Sequence, residues 1–191
     1  MTTTFVLTRK PDAIFQSSEH KNQSGRFGTL IVLQGGKVTH AQITPQGGTG
    51  SKISAPTGFL DLQTLEGSGV TEVARFTTIE RMGGYVQLKP QSHKGHVYKK
   101  EAYPLTYETG NKAVSELKGT NGQCFRVHGG LTAQERGILI HEAPHVGWLV
   151  GCIGPRRLND RSTGSTGTAH TAMGDLFRIV PRPSQLFVID W

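Results

Sequence analysis

The sequence is dominated by short segments rich in β-branched and aromatic residues, which are separated by glycine-containing turns. Such segments are typical of β-strands, and glycine readily adopts the positive φ angles that many tight turns require. We predict strands over residues 27–33, 37–43, 59–65, 71–79, 85–89, 123–128, 137–141, 149–153, 175–180 and 185–190. With 25 glycines and 9 prolines, the chain is expected to be mainly β rather than a helical bundle.

Helical signals are few. Residues 111–117 predict one short helix, with Asn111 as its N-cap and Gly119 as a stop just beyond it. Residues 159–174, NDRSTGSTGTAHTAMG, are rich in serine, threonine and glycine and predict a mobile surface loop. No repeat or change in composition divides the 191 residues, so we expect a single domain over residues 1–191.

The chain is basic, with 21 Lys and Arg against 14 Asp and Glu and a formal charge of +7. This charge predicts attraction to a polyanion, but the basic residues are scattered and form no stacking platform with aromatic residues. We therefore expect no nucleic-acid partner. An acidic cell-wall polymer and an anionic membrane surface both remain candidate partners. The sequence predicts no membrane span and has no recognisable secretory signal at its start.

The segment from residue 124 to residue 157 carries the strongest chemical pattern. His141 ends the apolar run GILI, and Cys152 lies in a second apolar run between Gly151 and Gly154. A thiol is mostly protonated at neutral pH, so a nucleophilic cysteine needs an imidazole to take its proton. Flanking glycines also allow the Gly151 and Cys152 amides to approach a reacting carbonyl as an oxyanion hole. We predict Cys152 as nucleophile and His141 as base.

Non-catalytic interpretations of the same residues remain open. A cysteine in an apolar strand is usually a small core residue, and a histidine at a strand end usually satisfies a local hydrogen bond. Only two cysteines are present, Cys124 and Cys152, which excludes a disulfide scaffold but not a single disulfide. Cys124 also precedes His141, as in papain-like enzymes, but it lacks flanking glycines.

A zinc site is a further alternative. The segment holds four residues of zinc-ligand type, which are His128, His141, His145 and Cys152. Pro144 stands between two of these histidines and disfavours the helical HxxxH geometry that would place both on one face. We therefore predict neither a metal nor a cofactor.

Two motifs resemble the L,D-transpeptidases with the YkuD-type β fold. These are residues 140–144, Ile-His-Glu-Ala-Pro, and residues 151–153, Gly-Cys-Ile, and the closing residues 174–189 also look similar. The pattern GILIHEAP…GWLVGCI is most similar to small phage and polymorphic-toxin domains, including type VI secretion L,D-transpeptidase-like effectors. The resemblance implies a β-sandwich or barrel with one or two short helices.

The resemblance also implies an activity. Cys152 would attack an L,D-peptide bond in a peptidoglycan stem peptide and form an acyl-enzyme, while the backbone carbonyl of Glu142 orients His141. We expect carboxypeptidase or transpeptidase exchange chemistry. Arg156 is our candidate for binding the substrate carboxylate, because guanidinium pairs with carboxylates through two hydrogen bonds. His128 and Trp148 are expected to line the cleft.

The resemblance has biological consequences and one rival. We expect synthesis in the bacterial cytoplasm and action in the periplasm, including that of a target cell, with an immunity protein and a secretion-machine component as partners. Leu149 and Val150 stand where the family has Ser-His, and Gly154 replaces its arginine. These departures motivate the alternative of a non-catalytic wall-binding or phage structural module.

Overall fold

The computed structural model describes residues 1–45, 53–55, 58–83, 88–94, 96–97, 101–108, 123–129, 138–149, 151–163, 168–180 and 185–191. Its strands are β1 (Thr2–Gln16), β2 (Ser24–Gly35), β3 (Val38–Thr44), β4 (Ser54–Ala55), β5 (Gly58–Thr64), β6 (Val70–Arg81), β7 (Ser92–His93), β8 (His96–Val97), β9 (Tyr103–Glu108), β10 (Cys124–Val127), β11 (Ile138–Ile140), β12 (Ile153–Arg156) and β13 (Gln185–Asp190). Within the described ranges, helical structure comprises α1 (Thr168–Ile179) and two 3-10 turns, Leu65–Gly67 and Val146–Trp148. The protein is mainly β, as the sequence predicts.

Strand pairing closes the main sheet into a barrel-like ring. The order is β1-β2-β6-β12-β11-β10-β9-β13, and β13 returns to pair in parallel with β1. β11 and β12 are also parallel neighbours, with Ile140 opposite Ile153. β7 and β8 extend from β13, while β3, β5 and β4 form a separate sheet. Closure gives each strand of the ring an inner and an outer face.

The main core lies on the inner face. One buried cluster contains apolar side chains from all eight strands of the ring. Only the inner face of the ring brings side chains from all of these strands together. Examples are Phe5, Leu30, Phe76, Ile153, Ile140, Phe125, Leu105 and Leu186. Helix α1 adds Ala172, Met173 and Leu176 to this cluster. The helix therefore packs against the interior of the sheet and fills part of it.

The outer face carries two further clusters. On β1, β2 and β13 the apolar side chains Val6, Ile31 and Phe187 pack under the small three-stranded sheet. On the β6, β12 and β11 side, residues 143–149 cover the sheet and contribute a third cluster with Ala143, Val146 and Leu149. This third cluster includes Cys152, so the predicted nucleophile lies on the outer face under a covering loop.

The predicted strands at 27–33, 37–43, 59–65, 71–79, 123–128, 137–141 and 185–190 are confirmed to within a few residues at their ends. The predicted strand 175–180 is wrong, and so is the loop assignment for residues 168–174, because residues 168–179 form α1. Its buried residues Ala169, Ala172, Met173 and Leu176 recur with helical spacing. The predicted boundary between a loop and a strand at residue 175 divides this helix, so neither part shows the full helical period.

Other differences concern strand positions. The predicted strand 149–153 begins only at Ile153, because Leu149 caps the preceding 3-10 turn and Gly151 has a left-handed φ of +81°. β1 was not predicted, although it pairs with β2 along most of its length and with β13. The predicted helix 111–117 lies outside the described residues. So does most of the predicted strand 85–89, and its described residues 88 and 89 are not in a strand.

Candidate active site

His141 directly follows β11 and is held by two backbone contacts. Its backbone N–H donates to the carbonyl of Ile153 at 3.0 Å, which continues the pairing of β11 with β12. Its ring Nδ1 lies 2.6 Å from the carbonyl oxygen of Glu142. A carbonyl only accepts, so Nδ1 carries the ring proton and Nε2 of the neutral imidazole is left as a proton acceptor. The contact that the resemblance implies between these two residues is thus present.

Cys152 stands at a sharp turn just before β12. The preceding Gly151 has φ +81°, a left-handed conformation that favours glycine. The thiol is 9% exposed, and its Sγ accepts a hydrogen bond from the backbone N–H of Leu139 at 3.4 Å. The turn therefore presents the sulfur toward β11, the strand that ends in His141.

Strand register places the two side chains on one face. Ile140 and Ile153 are opposite each other and both point into the main core, whereas Leu139 and Cys152 belong to the outer cluster. Because side chains alternate along a strand, His141 projects from the same outer face as Leu139. The predicted base and nucleophile thus come from adjacent parallel strands and share a face.

Burial keeps both groups neutral. Loss of solvation raises the pKa of the Cys152 thiol, and the Leu139 hydrogen bond and the Arg126 charge oppose this only in part. Loss of solvation lowers the pKa of His141, against the effect of its hydrogen bond to Glu142. The resting pair is therefore a thiol and a neutral imidazole rather than a thiolate and an imidazolium.

Cys124 lies in the same outer cluster but in a different environment. It is fully buried, and burial together with the Glu108 carboxylate raises its pKa to about 12. Both cysteines are free thiols, so the single disulfide left open by the sequence is not formed. At neutral pH Cys124 is a small apolar core residue.

Arg156 is placed differently from expectation. Its side chain is completely buried, and its Nη2 donates to the carbonyl of Pro144 at 2.6 Å. Its Nη1 donates to Ser162 Oγ at 3.1 Å and lies 3.6 Å from the Asp160 carboxylate. This guanidinium is engaged inside the protein and holds the covering loop. The geometry favours a structural role over the carboxylate-binding role that we predicted.

The remaining predicted site residues are distributed over three parts of the fold. Trp148 is 45% exposed at the end of the 3-10 turn, and its place at a cleft stays a prediction. His128 lies just beyond β10, where its Nε2 is 2.7 Å from Thr106 Oγ1. The Glu142 side chain reaches His170 on α1 at 3.1 Å, so its contribution to the base is its backbone carbonyl.

Sequence reasoning missed Arg126 and its partner Glu108. Arg126 lies in β10 and forms two hydrogen bonds to the Glu108 carboxylate of β9, one from Nε and one from Nη2. In QCFRVH, Arg126 is two residues after Cys124, so the alternation of side chains along a strand predicts that both lie on one face. The sequence therefore contained a signal for the position of Arg126. No signal indicated Glu108, because β9 itself was not predicted.

One group of metal-binding residue types lies nearby, in the part of the chain that the structure describes. Side-chain atoms of Glu19, His20 and His145 lie within 4.8 Å of one another. However, the Gly147 N–H donates to His145 Nδ1 at 3.1 Å, so the neutral ring carries its proton on Nε2, the atom nearest the Glu19 carboxylate. In this arrangement the lone pair of His145 Nδ1 is engaged by the Gly147 N–H, and its Nε2–H faces the Glu19 carboxylate.

Comparisons with known proteins leave the family open. No family model matches the chain, and no curated protein or solved structure matches it either. Across the described ranges, no helix has the length and apolar character needed to cross a membrane. The relationship to L,D-transpeptidases therefore remains a prediction from the motifs at His141 and Cys152.

Proposed function

We propose that this chain is a cysteine-dependent enzyme that transfers acyl groups of peptidoglycan stem peptides, as an L,D-carboxypeptidase or an L,D-transpeptidase. The observation that carries the proposal is the orientation of His141. Its Nδ1 is held by the Glu142 carbonyl, and its Nε2 is a proton acceptor on the same sheet face as the Cys152 thiol. A general base that activates a weak nucleophile requires this arrangement.

The chemistry follows from the neutral resting pair. As Cys152 Sγ attacks the carbonyl carbon, its proton moves to His141 Nε2, and we expect the backbone amides of Gly151 and Cys152 to stabilise the oxyanion. Collapse of the tetrahedral intermediate breaks the C–N bond, and the imidazolium returns its proton to the leaving amine. Water or a second amine then attacks the thioester, which releases the thiol and gives trimming, exchange or cross-linking.

The substrate class rests on the motifs rather than on the fold. The Ile-His-Glu-Ala-Pro and Gly-Cys-Ile segments resemble those of enzymes that act on peptidoglycan stem peptides. The charge of +7 is compatible with an acidic cell-wall polymer. An antibacterial effector, with an immunity protein and a secretion machine as partners, is the biological role that these features favour.

A second candidate is a non-catalytic wall-binding or phage structural module. The burial of Cys152 favours it, because a thiol that is 9% exposed and has a raised pKa is also what an inert core cysteine would show. The two candidates differ in whether the thiol forms a covalent intermediate.

Incubation of the purified protein with tetrapeptide-containing muropeptides, followed by mass spectrometry of the products, tests the proposal. We expect loss or exchange of the terminal residue, abolished by Cys152→Ala. His141→Ala should lower the rate by about 10²–10⁴-fold, whereas His145→Ala, in the same loop, should have a mild effect. If Cys152→Ala behaves like the wild type, the enzymatic proposal fails. A greater loss with His145→Ala than with His141→Ala would contradict the assigned base.

A further inference from the structure

Arg126 lies next to the strand that holds the thiol. In the pairing of β10 with β11, Arg126 is directly opposite Leu139, whose N–H donates to Cys152 Sγ. Its neighbours Phe125 and Val127 both point into the main core, so alternation directs Arg126 to the outer face. The guanidinium therefore projects from the face that carries the base and the nucleophile.

The charge of Arg126 acts on the thiol. Burial is the largest influence on the pKa of Cys152 and raises it, and Arg126 acts in the opposite direction by stabilising the thiolate. Arg126 has the same direction of effect on Cys124. A negative group that approaches Cys152 would experience the same attraction.

The guanidinium of Arg126 is held in place through one of its two edges. Nε and Nη2 bind the Glu108 carboxylate, which fixes the plane of the group. Among the residues that the structure describes, Nη1 has no acceptor. The Nη1–Nη2 edge of an arginine is the geometry that binds a carboxylate through two parallel hydrogen bonds. The Arg126 side chain is also 19% exposed, in contrast to the completely buried Arg156.

We propose that Arg126, oriented by Glu108, binds a carboxylate of the peptide substrate beside the Cys152 thiol. This deepens the proposed function and rests on it for the identity of the substrate. Arg126 acts by binding and takes no part in proton transfer. It takes over the role that sequence reasoning assigned to Arg156, whose guanidinium supports the covering loop.

The first test compares alkylation of Cys152 by iodoacetate and by iodoacetamide, with peptide mapping by mass spectrometry. In both reactions the thiolate displaces iodide, but only iodoacetate carries a carboxylate. Dividing one rate by the other cancels any change in the thiolate population. We expect Arg126→Gln to lower the iodoacetate-to-iodoacetamide ratio by about threefold or more, and Arg126→Lys to give an intermediate ratio.

Arg75 provides a matched control. It binds the Glu72 carboxylate through Nε and Nη2 and is also 19% exposed, but it lies in β6 at a distance along the strand from the site. Arg75→Gln should leave the ratio unchanged, and circular dichroism should show that all variants are folded. An Arg126→Gln ratio equal to that of the wild type overturns the proposal. So does a Cys152 that neither reagent labels.

The second test uses stem peptides with a free or an amidated carboxylate. Arg126→Gln should raise KM for the free acid by about tenfold and change that for the amide little. If no muropeptide is processed but the alkylation ratio depends on Arg126, the peptidoglycan function fails and the carboxylate site stands. If muropeptides are processed and Arg126→Gln changes neither the ratio nor the preference for the free acid, the Arg126 proposal fails alone.

Discussion

At the scale of single residues, the site depends on backbone contacts more than on side-chain partners. His141 is oriented by the Glu142 carbonyl, and the Cys152 sulfur is held by the Leu139 N–H. Neither contact needs an acidic third side chain. Both groups are buried, and burial favours their neutral forms. Under the proposed function, the proton of Cys152 is therefore expected to move to His141 as the sulfur attacks the substrate.

This neutral pair predicts the pH dependence of the thiol. Burial raises the pKa of the Cys152 thiol, so its thiolate fraction is small at neutral pH and grows as pH rises. The rate of iodoacetamide alkylation should increase by about tenfold per pH unit between pH 7 and 9. Cys124, whose pKa is about 12, should remain unlabelled over this range. Labelling for fixed times, followed by peptide mapping, measures the alkylation rates of both cysteines. A Cys152 rate that stops increasing below pH 8 would instead indicate a thiolate–imidazolium pair.

At the scale of elements, glycine is favoured in the turn before β12 but is unfavourable inside helix α1. Gly151 has φ +81°, so the turn that presents Cys152 requires a conformation unfavourable to other residues. Gly174 lies inside α1 on its exposed side, and no atom lies within 4 Å of the position that a Cβ would take. The same substitution should therefore have opposite effects at these two positions.

Gly151→Ala should lower the free energy of unfolding by about 1–2 kcal/mol, because the left-handed conformation is strained for alanine. Gly174→Ala should raise it by up to about 1 kcal/mol, because alanine favours the helix and meets open space. Urea unfolding monitored by circular dichroism measures both changes. Destabilisation by Gly174→Ala would indicate that α1 packs differently from the arrangement described above.

At the scale of the whole molecule, closure of the main sheet joins the two ends of the chain. β1 pairs with β13 from Thr4 opposite Gln185 to Arg9 opposite Asp190. The Gln185 side chain also donates to Thr4 Oγ1 at 2.9 Å and to the Val38 carbonyl at 2.7 Å. The ring thereby supports β11 and β12 from both sides and keeps the site residues in register.

The proposed substrate predicts where this molecule is toxic. Expressed in the bacterial cytoplasm, the chain should be tolerated, while fusion to a periplasmic export signal should slow growth or deform cells, because polymerised stem peptides are in the periplasm. Cys152→Ala should abolish the effect at equal expression, since it removes the acyl-enzyme and keeps the charge of +7. Growth curves and microscopy measure it. Toxicity that survives loss of the thiol would indicate another target.

The β class, most of the strands and the choice of His141 and Cys152 as candidate site residues could be predicted from the sequence. These follow from local signals, because strand residues alternate or cluster within a few positions and the two motifs are short. The helical spacing of apolar residues in α1 is also a local signal. However, the serine- and glycine-rich segment before the helix made its start hard to recognise.

Which side chains come into contact could be seen only in the folded structure. The burial of Arg156 results from the covering loop, and the exposure of Arg126 results from its register between β9 and β11. Both residues are arginines that follow an apolar segment, so composition could not distinguish them. Whether a guanidinium faces a carbonyl inside the fold or a carboxylate at its surface depends on partners distant in sequence. Strand pairing alone brings those partners together.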